Sequence, residues 1–228
     1  MPIFPTTRSS VVLALASDDA AVRTRAFEAL VAIYWKPLYK YARFAHRQSL
    51  ADAEDCTQSF LARAFEKNSL AAYDVDKASF RTFLRLLFDR HIANELKAAL
   101  RQKRGGGEMH LDFAAAEAEM ARESAGETTP EAYLQREWVR SVLSLAVDRL
   151  RTSSNPIDFR LFETYDLEAA GISYRDLGLQ LGLSESTVTN RLASMRRRFR
   201  EIVLGVLRDA TASESEYRRE VRALLGDV

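Results

Sequence analysis

The stretch Ile172–Phe199, ISYRDLGLQLGLSESTVTNRLASMRRRF, decides how this chain is read. Leu177 and Leu181 stand one turn apart, which predicts a short helix over 174–181 with both on its inner face. Gly182 supplies the backbone freedom of a sharp turn, and Ser184 stands where an N-cap belongs. From Val188 onward Val188, Leu192, Met195, Phe199, Ile202 and Val206 recur at alternating steps of four and three, the signature of one buried helical face. The opposite face carries Ser186, Thr187, Asn190, Arg191, Ser194, Arg197 and Arg198. Short hydrogen-bonding groups near a helix N-terminus suit base edges, and guanidiniums further along suit phosphates. An ordinary helical hairpin with a solvated arginine face has the same outline. The glycine turn, the cap and five arginines without an acid from Arg191 to Arg200 together favour a helix-turn-helix that contacts DNA.

Composition bounds the rest. A chain of 228 residues, 47% hydrophobic and 29% charged, has room for two modest cores. With 9 Gly, 5 Pro and helical periodicity in the long segments, the expectation is an all-α, two-domain, soluble protein. The net charge of +1 hides segregation: 77–107 holds eight basic and two acidic residues, whereas 108–131 holds seven acidic and one basic. Cys56 is the single cysteine, which excludes an intramolecular disulfide and a multi-cysteine metal cluster and suits a reducing cytoplasm. Val11–Ala16 is too short for a signal-peptide core, and nothing reaches the length of a membrane span. His46, His91 and His110 are scattered, and no phosphate loop or catalytic nucleophile motif occurs, so neither enzyme, metal nor cofactor is expected.

Helical patterns occupy most of 9–101. Gly105-Gly106-Gly107 then opens an acidic, Ala- and Glu-rich stretch ending at Thr128-Thr129-Pro130, read as a linker. Trp138, Val142, Ala146 and Leu150 mark a further helix, Ser153-Ser154-Asn155-Pro156 a break, and 159–167 another helix before the helix-turn-helix. The tail over 213–225 has the pattern of one more amphipathic helix. In the first block, Asp52, Glu54 and Asp55 crowd the opening turn of a helix, where acids favourably face its dipole. With Gln58 they also make a surface suited to a basic partner helix. The residues alone leave both readings open. Phe80, Leu84, Phe88, Ile92, Leu96 and Leu100 fall at unbroken four-residue spacing and predict a helix packed on a core. Arg81, Arg85, Arg90, Asn94, Lys97 and Arg101 fall outside that stripe as a candidate nucleic-acid face, with Tyr73 nearby.

Tyr34-Trp35-Lys36-Pro37-Leu38-Tyr39, Asp52-Ala53-Glu54-Asp55-Cys56-Thr57-Gln58, Phe80-Arg81-Thr82-Phe83-Leu84 and the terminal helix-turn-helix, in this order and spacing, resemble the extracytoplasmic-function (group IV) sigma factors of bacterial RNA polymerase. The resemblance covers nearly the whole chain. It implies a region-two-like domain over 1–104, an acidic flexible linker over 105–130, a region-four-like helix-turn-helix domain over 131–210 and a helical tail over 211–228. It further implies that Asp52, Glu54, Asp55 and Gln58 dock on the β′ clamp helices of core polymerase, with the β subunit as a further contact. Tyr73, Arg81, Arg85, Arg90, Asn94, Lys97 and Arg101 would hold the melted minus-ten element. Ser184, Ser186, Thr187, Asn190, Arg191, Arg197 and Arg198 would serve the minus-thirty-five element, and the acidic linker would thread the polymerase channel. Some members resemble kinase targets, which makes Thr57 a candidate phosphorylation site and a Ser/Thr kinase, like an anti-sigma factor, a candidate partner. Since three acids already supply charge there, a plain polar helix residue is the preferred reading of Thr57. The rival readings are a helix-turn-helix regulator acting without core polymerase and an adaptor that binds partners without touching DNA.

Overall fold

The computed structural model describes residues 11–99, 111–122, 128–168 and 171–226. Among these there are ten α-helices and no strand: α1 Val11–Ala14, α2 Ala20–Ala45, α3 Leu50–Glu66, α4 Phe80–Ala99, α5 Phe113–Met120, α6 Pro130–Ser153, α7 Pro156–Phe162, α8 Tyr174–Leu181, α9 Glu185–Ala210 and α10 Glu214–Leu225. A 3₁₀ turn at Ser69–Ala72 and a π turn at Glu163–Leu167 complete the order. The protein is all-α, as its periodicity predicts. Contacts group it into two compact units, Met1–Ser141 with Leu207–Val228, and Val142–Val206. This grouping differs from the expected boundaries: the start of α6 and the tail both belong to the first unit.

The first unit is built around α2. Asp19 caps it, accepting from the amides of Ala21 and Val22, and Leu30, Ile33, Tyr34, Leu38 and Tyr39 are buried along it. Pro37 sits in its interior, where the missing N–H deprives the Ile33 carbonyl of its helical donor. The Ser141 hydroxyl of α6 donates to that carbonyl at 2.7 Å, so the vacancy in the helix ladder becomes a tie between two helices. On α3, Ala53, Cys56, Thr57, Phe60, Leu61 and Ala64 form the inner face, and Phe60 meets Phe88 of α4 with ring centroids 4.9 Å apart. The predicted stripe of α4 is buried at Phe80, Leu84, Phe88 and Ile92 but ends there: Leu96 is 58% exposed, because the helix has by then run past its core. Leu100 lies outside the described residues.

Within the stretch expected to be a flexible linker, α5 is a docked helix. Asp112 caps it, and Phe113 is buried against Trp35 and Tyr39 of α2 at centroid distances of 5.5 and 4.9 Å. Glu117 accepts from Arg43 at 2.8 Å and from the Tyr39 hydroxyl at 2.7 Å, and Glu119 pairs with Lys36 and Lys40 at 2.8 and 2.9 Å. Two acids of the linker are therefore paired with cations of α2. Lys40 is itself buried and also pairs with buried Glu137 of α6 at 2.8 Å, with Arg140 on the same carboxylate. Burial alone would lower Lys40, but the hydrogen bonds it donates to Glu137 and Glu119 outweigh that and leave its pKa raised.

The second unit closes on Leu150, Phe159, Leu161, Phe162, Leu177, Val188, Leu192 and Met195, the inner faces of α6 to α9. Asn155 caps α7 through the Ile157 amide, with Pro156 in its first turn, so the predicted break is a helix start.

Candidate nucleic-acid interface

Three faces carry the residues singled out in the sequence. On a helix of 3.6 residues per turn, the buried set of α3 fills one side, and Asp52, Glu54, Asp55 and Gln58 fall on the other. Asp52 and Asp55 are exposed, with Glu54 and Gln58 half-buried beside them. Ser49 caps the helix by accepting from the Asp52 amide at 3.2 Å, and its hydroxyl donates to the Asp52 carboxylate at 2.7 Å. The capping reading thus holds for Asp52. Glu54 and Asp55 have no ion-pair partner among the described residues. Thr57 points the other way: its side chain is 0% exposed within the helix packing. A kinase has no access to that hydroxyl in this fold, because position 57 falls on the inner arc with Phe60 and Leu61, and the phosphorylation expectation is corrected to a buried helix residue.

The basic face of α4 divides. Arg90, Asn94 and Lys97 are exposed on one arc, which also presents Thr82 and Leu86, the latter 50% exposed. Arg81 and Arg85 are turned away from it. The Arg81 guanidinium lies 4.3 Å from the centroid of the Trp138 ring and pairs with Glu220 of α10 at 3.0 Å. Arg85 pairs with Asp89 at 2.9 Å and Glu131 at 3.4 Å. These two arginines, expected to face DNA, are engaged inside the protein, because at their register the helix borders acidic neighbours and not solvent. Tyr73 is engaged at both ends. Its hydroxyl donates to the Ala78 carbonyl at 2.8 Å and its ring packs on Phe80 and Phe83 at 5.2 and 5.3 Å. Burial, with Glu216 nearby, pushes its pKa up to about 12. Arg101 lies outside the described residues.

The helix-turn-helix forms as its pattern predicts. Gly182 ends α8 in the left-handed region at φ +67°, a conformation that glycine adopts without a Cβ clash. Ser184 caps α9 by accepting from the Thr187 amide at 3.2 Å, and its hydroxyl contacts that of Thr187 at 2.7 Å. Ser186, Asn190, Ser194 and Arg197 are exposed opposite the buried Val188, Leu192 and Met195. Arg191 is partly held by Asp158 at 2.9 Å, and Arg198 donates to the Ser153 carbonyl. Arg196, which the sequence reading left off this face, is gripped by Asp166 at 2.8 Å and by the Tyr174 hydroxyl.

A family model described as ECF sigma factor matches residues 18–203, from just before α2 into the second half of α9. The chain belongs to the ECF sigma factor family. No curated protein matches it. This sigma factor is accordingly a transcription initiation factor, and the family's partners are RNA polymerase and promoter DNA. The matched stretch contains the α3, α4 and α9 faces but stops short of α10. No described helix of the sigma factor is long and apolar enough to cross a membrane, and no described group of His, Cys, Asp and Glu could hold a metal ion.

Several of these arrangements had no sequence signal. Glu220, which pairs with Arg81, and Glu131, which joins Asp89 on Arg85, are far away in the chain. Gly178 was not singled out, although a Cβ there would stand 2.6 Å from the Leu183 carbonyl oxygen.

Proposed function

We propose that this sigma factor binds core RNA polymerase through the outer side of α3, directs it to specific promoters and helps to open the minus-ten element. Asp55 and Glu54, with Asp52 and Gln58 beside them, offer a negative surface to the β′ clamp helices, where opposite charge steers docking and fixes register. The outer arc of α4, with Arg90, Asn94 and Lys97, tracks the phosphates of the melted non-template strand. An unstacked base costs a few kcal/mol to extrude, which the contacts on this arc must offset. On α9, Ser186 and Asn190 reach base edges of the minus-thirty-five element while Arg197 holds the backbone. The observation that carries this reading is the family match spanning 18–203, which takes in the acidic helix and the helix-turn-helix together.

Run-off transcription with bacterial core polymerase on a genomic promoter library tests it. Promoter-specific transcripts are expected from the wild-type protein, a loss of at least tenfold with Asp55→Arg, and a loss of promoter preference with Asn190→Ala. Sequence-specific duplex binding without core-dependent transcripts would instead establish a regulator that acts without polymerase.

A further inference from the structure

The helix α10 follows the family-matched stretch, yet it belongs to the first unit. Its buried residues are Glu216 and Glu220, each 4% exposed, and no apolar side chain of α10 is buried. Both carboxylates end on the start of α4. Glu216 accepts from the Phe80 amide at 3.1 Å and, through its other oxygen, from the Ala212 amide at 3.0 Å. Glu220 pairs with Arg81. Arg208 also holds α10, through Glu214 at 3.3 Å and the Tyr217 ring at 4.0 Å, but the two carboxylates on α4, one on a helix N-terminal amide and one on a guanidinium, occupy donors that also suit a phosphate. Such a contact exchanges for a polyanion more readily than one made by apolar burial, because the incoming phosphates replace both interactions in kind.

We propose that α10 is a built-in competitor of promoter DNA: Glu216 and Glu220 shield the Phe80–Arg81 corner of α4 in the unbound protein, and the tail must leave that corner before the melted strand can use it. The proposal rests on the reading of α4 as the minus-ten face. It also gives Arg81 two roles, an internal ion pair in the unbound state and a phosphate contact in the DNA-bound state.

The test uses the full chain with a labelled single-stranded DNA 20-mer, followed by fluorescence anisotropy, and hydrogen exchange over 80–84 and 214–225. Glu216→Gln/Glu220→Gln is expected to bind the oligonucleotide at least tenfold more tightly than wild type, and the Phe80 amide to exchange faster. In the wild-type protein, which needs no substitution, saturating oligonucleotide is expected to speed exchange across 214–225. Unchanged affinity in a folded double variant whose tail exchanges freely overturns the proposal, as does a wild-type tail that stays protected when DNA is bound. If either result is found while the run-off assay yields Asp55-dependent transcripts, the competitor role fails and the sigma-factor mechanism stands. If core-dependent transcription is itself absent, the minus-ten reading falls and the competitor role with it.

Discussion

Gly178 is the residue where the helix-turn-helix tolerates least. Its carbonyl accepts from the Leu183 amide at 2.8 Å, and a Cβ would stand 2.6 Å from the Leu183 carbonyl oxygen and 3.4 Å from Val188 Cγ2. The backbone of the turn therefore passes directly over α8. Gly178→Ala forces that backbone outward at a cost of about 1–3 kcal/mol, against which the better helix propensity of alanine returns roughly 1 kcal/mol. A net loss of up to about 2 kcal/mol is expected in urea unfolding, with duplex binding weakened by the displaced N-terminus of α9. Gly182, three residues before Glu185, was legible because a glycine at a helix end announces a turn. Gly178 was not, because its constraint comes from a segment that meets it only after folding.

At the scale of elements, α2 is tied to its neighbours by polar groups as well as by its buried apolar face. Ser141→Ala removes the hydroxyl that serves the Ile33 carbonyl next to Pro37. With the acceptor left buried and unpaired, a loss of about 1–3 kcal/mol is expected in chemical denaturation, and Pro37→Ala in the same background is expected to recover much of it by restoring the helical donor. The docking of α5 depends on pH. Arg43 holds Glu117 below the ordinary value of 4.5, and Lys36 and Lys40 hold Glu119 below it against the opposing effect of burial. Depressed carboxylates contribute stability that is present above 4.5 and lost as pH falls through their lowered values. Exchange protection of 113–120 is therefore expected to hold at neutral pH and to collapse under acid sooner than that of the apolar inner face of α4. Most element positions were readable from periodicity: α8 and α10 fall within a residue of the predicted spans. The acidic stretch was read as linker because its composition is polar. Phe113 and the cations of α2 make part of it a helix, and their proximity is a tertiary fact.

For the whole molecule, sequence determined the helical class, most of the inner faces, the cap at Ser184 and the family to which the chain belongs. These depend on neighbours within a turn or two, so periodicity and local hydrogen-bonding chemistry suffice to fix them. Which charges face outward was decided only by the tertiary structure. Arg81, Arg85 and Lys40 look like solvated cations in a linear reading, yet each meets a carboxylate from a segment distant in the chain, while Arg90, Asn94 and Lys97 keep their exposure. The tail shows the same division. Its amphipathic pattern predicts a helix, but Glu216 and Glu220 lie on its buried side, because the surface it meets offers an amide and a guanidinium in place of an apolar groove. Local pattern specifies a helix; only the partner that folding brings alongside specifies what its charges do.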